Sequence, residues 1–220
     1  MSDRGNSAGG EPGANRAPGP ETFSRRAALK RGNGSALASM AAHGAAENGR
    51  AGYAAESARG AMERAHGEMW RRFVDPYGIV LDYVELDGSY DRPTPDECRL
   101  AKPNALAWRT PVSNGAMFNG LYLDAMVHRA RRTGDEADKA KALRLVEGLL
   151  LLASVGGPKG FVGRCVATDG KTTYPLGSND QTGPWLYGLW RYLRGGLAEG
   201  ELRRRLEKTQ RVVAPASHHR

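Results

Sequence analysis

Cysteine is scarce: two residues, Cys98 and Cys165, exclude a disulfide-dense scaffold and a four-cysteine zinc site. The pair can form one bridge or stay free, and its spacing decides neither. Long apolar runs are missing as well. Leu149-Leu150-Leu151-Leu152-Ala153 is the longest, far below the ~20 residues of a membrane-spanning helix. The histidines at 43, 66, 128, 218 and 219 give no metal-ligand spacing beyond the adjacent terminal pair. No GxSxG serine, Walker loop or dinucleotide fingerprint occurs. No metal or cofactor is therefore expected. Acidic residues fall short of basic ones, 24 against 32, for a net charge of +8. Much of the excess sits in Arg203, Arg204, Arg205, Lys208 and Arg211. At helical spacing that run reads as a solvated face, and nucleic-acid binding is not expected.

Aromatics are almost absent from residues 1–50, where Phe23 stands alone among nine Gly, three Pro and eleven Ala. Such a stretch buries too little apolar surface to offset chain entropy, and it is expected to be disordered. The remainder has single-domain length. Ser24-Arg25-Arg26-Ala27-Ala28-Leu29-Lys30 resembles the twin-arginine export motif. A weakly apolar Gly/Ala/Ser stretch follows, and Ala42-His43-Gly44-Ala45-Ala46 offers small residues for cleavage. The resemblance implies export to the periplasm or beyond. The competing reading is a cytoplasmic chain with an Ala/Gly tail.

In the body, hydrophobic period predicts five helices. The first spans 54–73, with Ala58, Ala61, Ala65, Met69 and Phe73 on one face; Asp75-Pro76-Tyr77-Gly78 ends it. Residues 74–111 lack helical period. Ile79-Val80-Leu81 suggests a short strand, and Pro93, Pro95 and Pro103 predict extended chain. The second helix, 112–133, carries rows Met117, Leu121, Ala125 and Phe118, Tyr122, Met126. Gly134-Asp135 is a tight turn into the third helix, 136–154, with Ala140, Leu143, Val146 and Leu150 expected inward. Residues 160–174 read as a β-hairpin around Asp169-Gly170. The fourth helix, 180–194, has Pro184 in its first turn and rows Trp185, Leu189, Tyr192 and Leu186, Trp190, Leu193. Gly195-Gly196 leads to the fifth, 198–212, and residues 214–220 read as a frayed tail.

Short turns join helices two to three and four to five, while long connections separate the pairs. Short turns make antiparallel neighbours, so all long connections collect at one end, where sites usually lie. The expected fold is mainly α: stacked helical hairpins with a small β-hairpin in a rim loop.

Asn114-Gly115-Ala116-Met117-Phe118-Asn119-Gly120-Leu121-Tyr122, then Thr133-Gly134-Asp135 and the run from Lys141 to Leu152, resembles one hairpin of the six-hairpin (α/α) toroid glycosidases. Gly177-Ser178-Asn179-Asp180-Gln181-Thr182 with Trp185-Leu186-Tyr187-Gly188-Leu189-Trp190-Arg191-Tyr192 resembles the next inner helix and its entry loop. The resemblance covers about residues 55–213. It implies an unsaturated glucuronyl hydrolase-like protein, or another glycoside hydrolase, lyase or epimerase of the superfamily. Five helices make only part of a toroid. The chain is thus expected to be part of an assembly, through a second copy or the missing remainder, or to be an inactive fragment of a larger enzyme. A non-catalytic sugar-binding or scaffold protein is the alternative function.

A sugar hydrolase of this kind uses two carboxyl groups, one protonating the leaving oxygen and one activating water or attacking carbon. Asp180, at the rim end of an inner helix, is the first candidate, and the same position suits a helix cap. Asp82 is the proposed partner, from a connection that also holds Glu85, Asp87 and Asp91. Asp87 and Asp169 precede glycine and read as turn residues; Asp124 falls mid-helix. Asn114, Asn119, Arg164, Gln181 and Trp185 are the expected substrate-binding residues for an oligosaccharide, with Arg164 suited to a uronate and Trp185 to a sugar face.

Overall fold

Two glycines bring two helices of this chain to backbone contact, and the other elements are arranged around that crossing. The computed structural model describes residues 57–102, 110–177 and 179–216. They belong to one compact unit, Ala55–Arg220. The export-like segment lies outside the described residues. Helix α1 covers 57–68 and widens into a π-helical turn, Met69–Phe73, closed by Val74 N donating to Met69 O at 3.1 Å. The others are α2 (Pro95–Arg99), α3 (Gly115–Thr133), α4 (Glu136–Leu152), α5 (Asn179–Arg194) and α6 (Gly200–Ala216).

Helices α3 and α4 form one hairpin. Gly134 ends α3, and Asp135 caps α4 by accepting from Ala137 N at 2.9 Å. Helices α5 and α6 form the second, through Gly195 and Gly196. The hairpins meet along α3 and α5. A Cβ on Gly120 would lie 2.0 Å from Pro184 O, one on Gly188 2.5 Å from Gly120 O, and one on Gly195 2.6 Å from a Val127 methyl. These contacts advance in the same direction along both helices, so α3 and α5 run parallel. Trp185, Leu189 and Tyr192 enter the core with Leu123, Met126 and Val127 of α3 and Leu145, Val146 and Leu149 of α4.

The buried faces depart from the sequence expectation in instructive ways. On α3 the packed stripe is Gly115, Ala116, Asn119, Gly120, Leu123, Met126, Val127 and Ala130. Small residues let α5 approach, and the bulkier row is displaced outward: Leu121 is 49% exposed. Trp190 of α5 is also open, at 48%. On α4, Ala140 and Leu143 are exposed, and Ala142, Leu145, Leu149 and Leu152 line the core with Val146 and Leu150. Pro184 sits in the second turn of α5, not the first. Helix α6 reaches Ala216, past the predicted end.

The alanine face of α1 is exposed, because a neighbouring row offers larger contacts. Glu63 accepts from Arg129 at 2.8 Å. The His66 ring lies between Tyr122 OH (3.1 Å) and Lys141 Nζ (3.0 Å), and Trp70 packs edge-on to it. Lys141 can only donate, so Nε2 of His66 accepts and Nδ1 carries the proton. Burial, then Lys141 and Arg129, hold this imidazole below its ordinary 6.5; Asp138 opposes them weakly from 3.9 Å.

The connections contain no extended strand among the described residues. Ile79-Val80-Leu81 contributes a single antiparallel bridge, Val74 to Val80. Thr94 and Glu97 form a capping box that starts α2 where prolines suggested extended chain. The 160–174 segment keeps its turn, with Ala167 N bonded to Thr172 O at 2.8 Å, but no ladder forms. Its backbone is recruited elsewhere: Gly163 N donates to Leu152 O, Arg164 O accepts from Gly115 N, and Thr168 N donates to Pro93 O.

Gly120→Ala should lower unfolding free energy by about 3 kcal/mol, since the new methyl meets backbone and not a yielding side chain. Gly67→Ala, with nothing within 4 Å, should be neutral or stabilising by up to ~1 kcal/mol. Urea unfolding of both variants checks the pair. His66 supplies a second test. Its folded state favours the neutral ring, so the unfolded chain takes up the proton first as pH falls. Stability should decline as pH drops below about 6.5, and His66→Gln should flatten that decline across roughly pH 7.5 to 5.5.

Candidate functional site

Parallel α3 and α5 place both helix N-termini at the end where the long connections gather. Five of the sequence-predicted side chains gather there, and three of them form one hydrogen-bonded network. Asp82 reaches in from the first connection. Its Oδ1 accepts from Asn114 N at 3.1 Å, and its Oδ2 from Asn114 Nδ2 at 3.0 Å. Asn114 makes no side-chain cap of its own, so Asp82 serves as the carboxylate at the N-terminus of α3. Asn114 Oδ1 in turn accepts from Gln181 Nε2 at 3.1 Å, and Gln181 Oε1 accepts from Met117 N at 3.2 Å. Gln181 is fully buried and couples the first turns of the two helices.

Arg164 bridges the same two termini. Its Nη1 donates to Ser113 O at 3.0 Å, and its Nη2 stands 3.8 Å from Asp180 Oδ1. The Asp180 side chain is 53% exposed and the Arg164 side chain 15%. Asp180 therefore presents a carboxylate to solvent beside a positioned guanidinium. Asp82 instead has both oxygens on Asn114 donors.

Two expected ligand contacts are interior residues. Asn119 is fully buried; its Oδ1 accepts from Val80 N at 2.6 Å, and its Nδ2 donates to Gly78 O at 2.7 Å and Leu145 O at 3.3 Å. It fastens the 74–81 loop to α3 and α4, with no polar atom left for substrate. Trp185 is also fully buried, its Nε1 donating to Leu149 O at 2.8 Å, so its faces meet core side chains. Position near a helix start suggested the rim; the close α3–α5 crossing turns this ring inward.

Asp87 and Asp169 are turn carboxylates, as their glycine neighbours indicated. Asp87 accepts from Ser89 N at 2.8 Å. Asp169 gathers Thr172 Oγ1 at 2.6 Å, Lys171 N and Thr172 N, which hold its carboxyl down to about 2. Asp124 pairs with Arg191 Nε at 2.5 Å and Tyr187 OH at 2.7 Å, joining α3 to α5.

Beside the network lies a cleft of about 230 Å³ lined by Tyr83, Glu85, Ser89, Tyr90, Asp91 and Pro111. It begins at the residue after Asp82, whose N donates to Pro111 O at 2.9 Å. Arg72 steadies its wall by donating to Glu85 O at 2.7 Å and Leu86 O at 3.1 Å. Burial, then the charges of Asp82, Glu85 and Asp91, raise the Tyr83 hydroxyl. The tyrosines were not expected from sequence. Their signal was tyrosine next to aspartate on either side of one turn, Asp82-Tyr83 and Tyr90-Asp91. Among the described residues, no group of three His, Cys, Asp or Glu could hold a metal ion, and no helix is long and apolar enough to cross a membrane.

A scan against protein-family models finds no match, and neither curated proteins nor solved structures include a significant match to this chain.

Asp82→Ala should cost about 1–2 kcal/mol by uncapping α3, whereas Lys159→Ala on the exposed surface should stay within ~0.5 kcal/mol. Chemical denaturation of the two variants checks the capping role, and equal losses would contradict it.

Proposed function

We propose that the protein binds a carbohydrate at this rim. The observation that carries the reading is the Tyr83–Tyr90 cleft beside the Asp82–Asn114–Gln181 network and the Arg164–Asp180 pair. Tyrosine rings offer flat faces for sugar C–H groups, and Ser, Asp and Glu oxygens accept from hydroxyls. The cleft is smaller than drug-sized sites of roughly 300–1,000 Å³, a size for one sugar ring. Glu85 at the cleft repels carboxylates, which favours a neutral sugar over the uronide that the family resemblance implied.

Glycoside hydrolysis is the second reading. It is favoured by Asp180, a carboxylate 53% exposed beside Arg164 at the same rim as Asp82. In this reading Asp180 is the reacting group, and Asp82 acts as a positioning residue through Asn114. Two hairpins with parallel inner helices, and an open flank with Leu121 and Trp190, also support membership in a larger α/α toroid. A second copy or further hairpins would complete it. The twin-arginine resemblance supports an exported protein.

Titration calorimetry of the full chain against neutral and uronic oligosaccharides tests binding. Neutral sugars should bind in the micromolar to millimolar range, and Tyr83→Ala or Tyr90→Ala should weaken them about tenfold. Asp180→Asn should remove turnover and leave binding. A panel with no binder at millimolar concentration would reject the proposal.

A further inference from the structure

The two cysteines, 67 positions apart by the subtraction 165 − 98, meet at the rim. Cys98 lies in α2 and is 0% exposed; Cys165 lies in the 160–177 segment at 1%. Backbone and side-chain bonds bracket them. Thr168 N donates to Pro93 O at 3.0 Å, and Tyr174 OH donates to Ala101 O at 2.8 Å. Thr173 Oγ1 donates to Cys165 O at 2.7 Å. Both are free, buried thiols that perturb one another's titration, so the two sulfurs are neighbours, and Leu81, Val112 and Tyr174 help to close a pocket around Cys165.

We propose that Cys98 and Cys165 form a disulfide that clamps α2 to the 160–177 segment. The reaction is thiol–disulfide exchange with a disulfide donor. One cysteine thiolate attacks a donor sulfur and releases one donor thiol; the other then attacks the mixed disulfide and releases the second. The protein loses two protons and two electrons, and the donor is reduced to two thiols. Both sulfurs are sealed from solvent, so exchange takes place while the segment is open, as during folding. Arg164 adjoins Cys165, so the clamp also fixes the guanidinium facing Asp180. None of this depends on the carbohydrate reading.

The test refolds the reduced full chain in a series of reduced-to-oxidised glutathione ratios and then blocks free thiols with N-ethylmaleimide in denaturant. The expected oxidised product takes up no maleimide and has a mass lower by two hydrogens. Its proteolytic digest yields a peptide joining the two cysteine segments, and its Tm rises by on the order of 5–10 °C. Cys98→Ala and Cys165→Ala should each carry a glutathione adduct on the remaining thiol. Should either variant fail to fold, the wild-type cross-linked peptide still decides. Persistent glutathione adducts, two maleimides at the most oxidising ratio, or cross-links between chains would overturn the pairing. A bond that leaves Tm unchanged would overturn the clamp.

Discussion

The crossing of α3 and α5 at Gly120 and Gly188 sets the conditions for everything at the rim. Two helices in ordinary contact keep their axes 8–10 Å apart. Here a methyl on either glycine would collide with the partner's backbone. The helices run parallel, so their N-termini emerge at one end, and each hairpin returns its partner helix to the other side. Asn114 and Gln181 meet because of this, as do Asp124 and Arg191 further along. A wider spacing would leave Asn114 without Gln181 and Arg164 without its two helix termini.

The polar residues at the rim hold structure and present chemistry together. Asn119 and Asp75 show the structural side. Asp75 gathers Tyr77 N, Ile79 N and Arg92, while Asn119 receives the loop that Asp75 shapes. Each of these groups is buried, and an unmet hydrogen bond there would cost about 1–3 kcal/mol. Asp180, 53% exposed, and the Tyr83–Tyr90 cleft face solvent. They are the open parts of the rim, and they stand on a base whose side chains are fixed by the network beneath.

Much of the framework was legible from spacing alone. Five of the six helices among the described residues, their short turns and the gathering of long connections at one end follow from period, Gly134 and Gly195-Gly196. Helix faces were less legible. An amphipathic count favours large apolar rows, but α3 buries a stripe that mixes small residues with Leu123, Met126 and Val127, and its glycines let α5 come close. The alanines of α1 lost to Glu63, His66 and Trp70 for a related reason: rings and ion pairs gain more from the α3–α4 surface than methyl groups do. The expected β-hairpin failed because its donors and acceptors found partners on α3, α4 and the α2 connection. Thr94-Pro95-Asp96-Glu97 did carry a capping-box signature, masked by the neighbouring prolines.

The site divides along the same line. Asp82, Asn114, Arg164, Gln181 and Asp180 were identifiable because polar residues at helix starts and long connections have few local partners. Asn119 and Trp185 belong to the same stretches of sequence, yet the fold draws them inside. By itself the sequence determined helices, turns and the end at which the connections gather, because those depend on local propensity and period. Which face packs, which polar groups are consumed as anchors, and which tyrosines frame a cleft were decided by tertiary structure. Those outcomes depend on how closely two backbones approach, a distance set jointly by residues 68 positions apart, Gly120 and Gly188 (188 − 120).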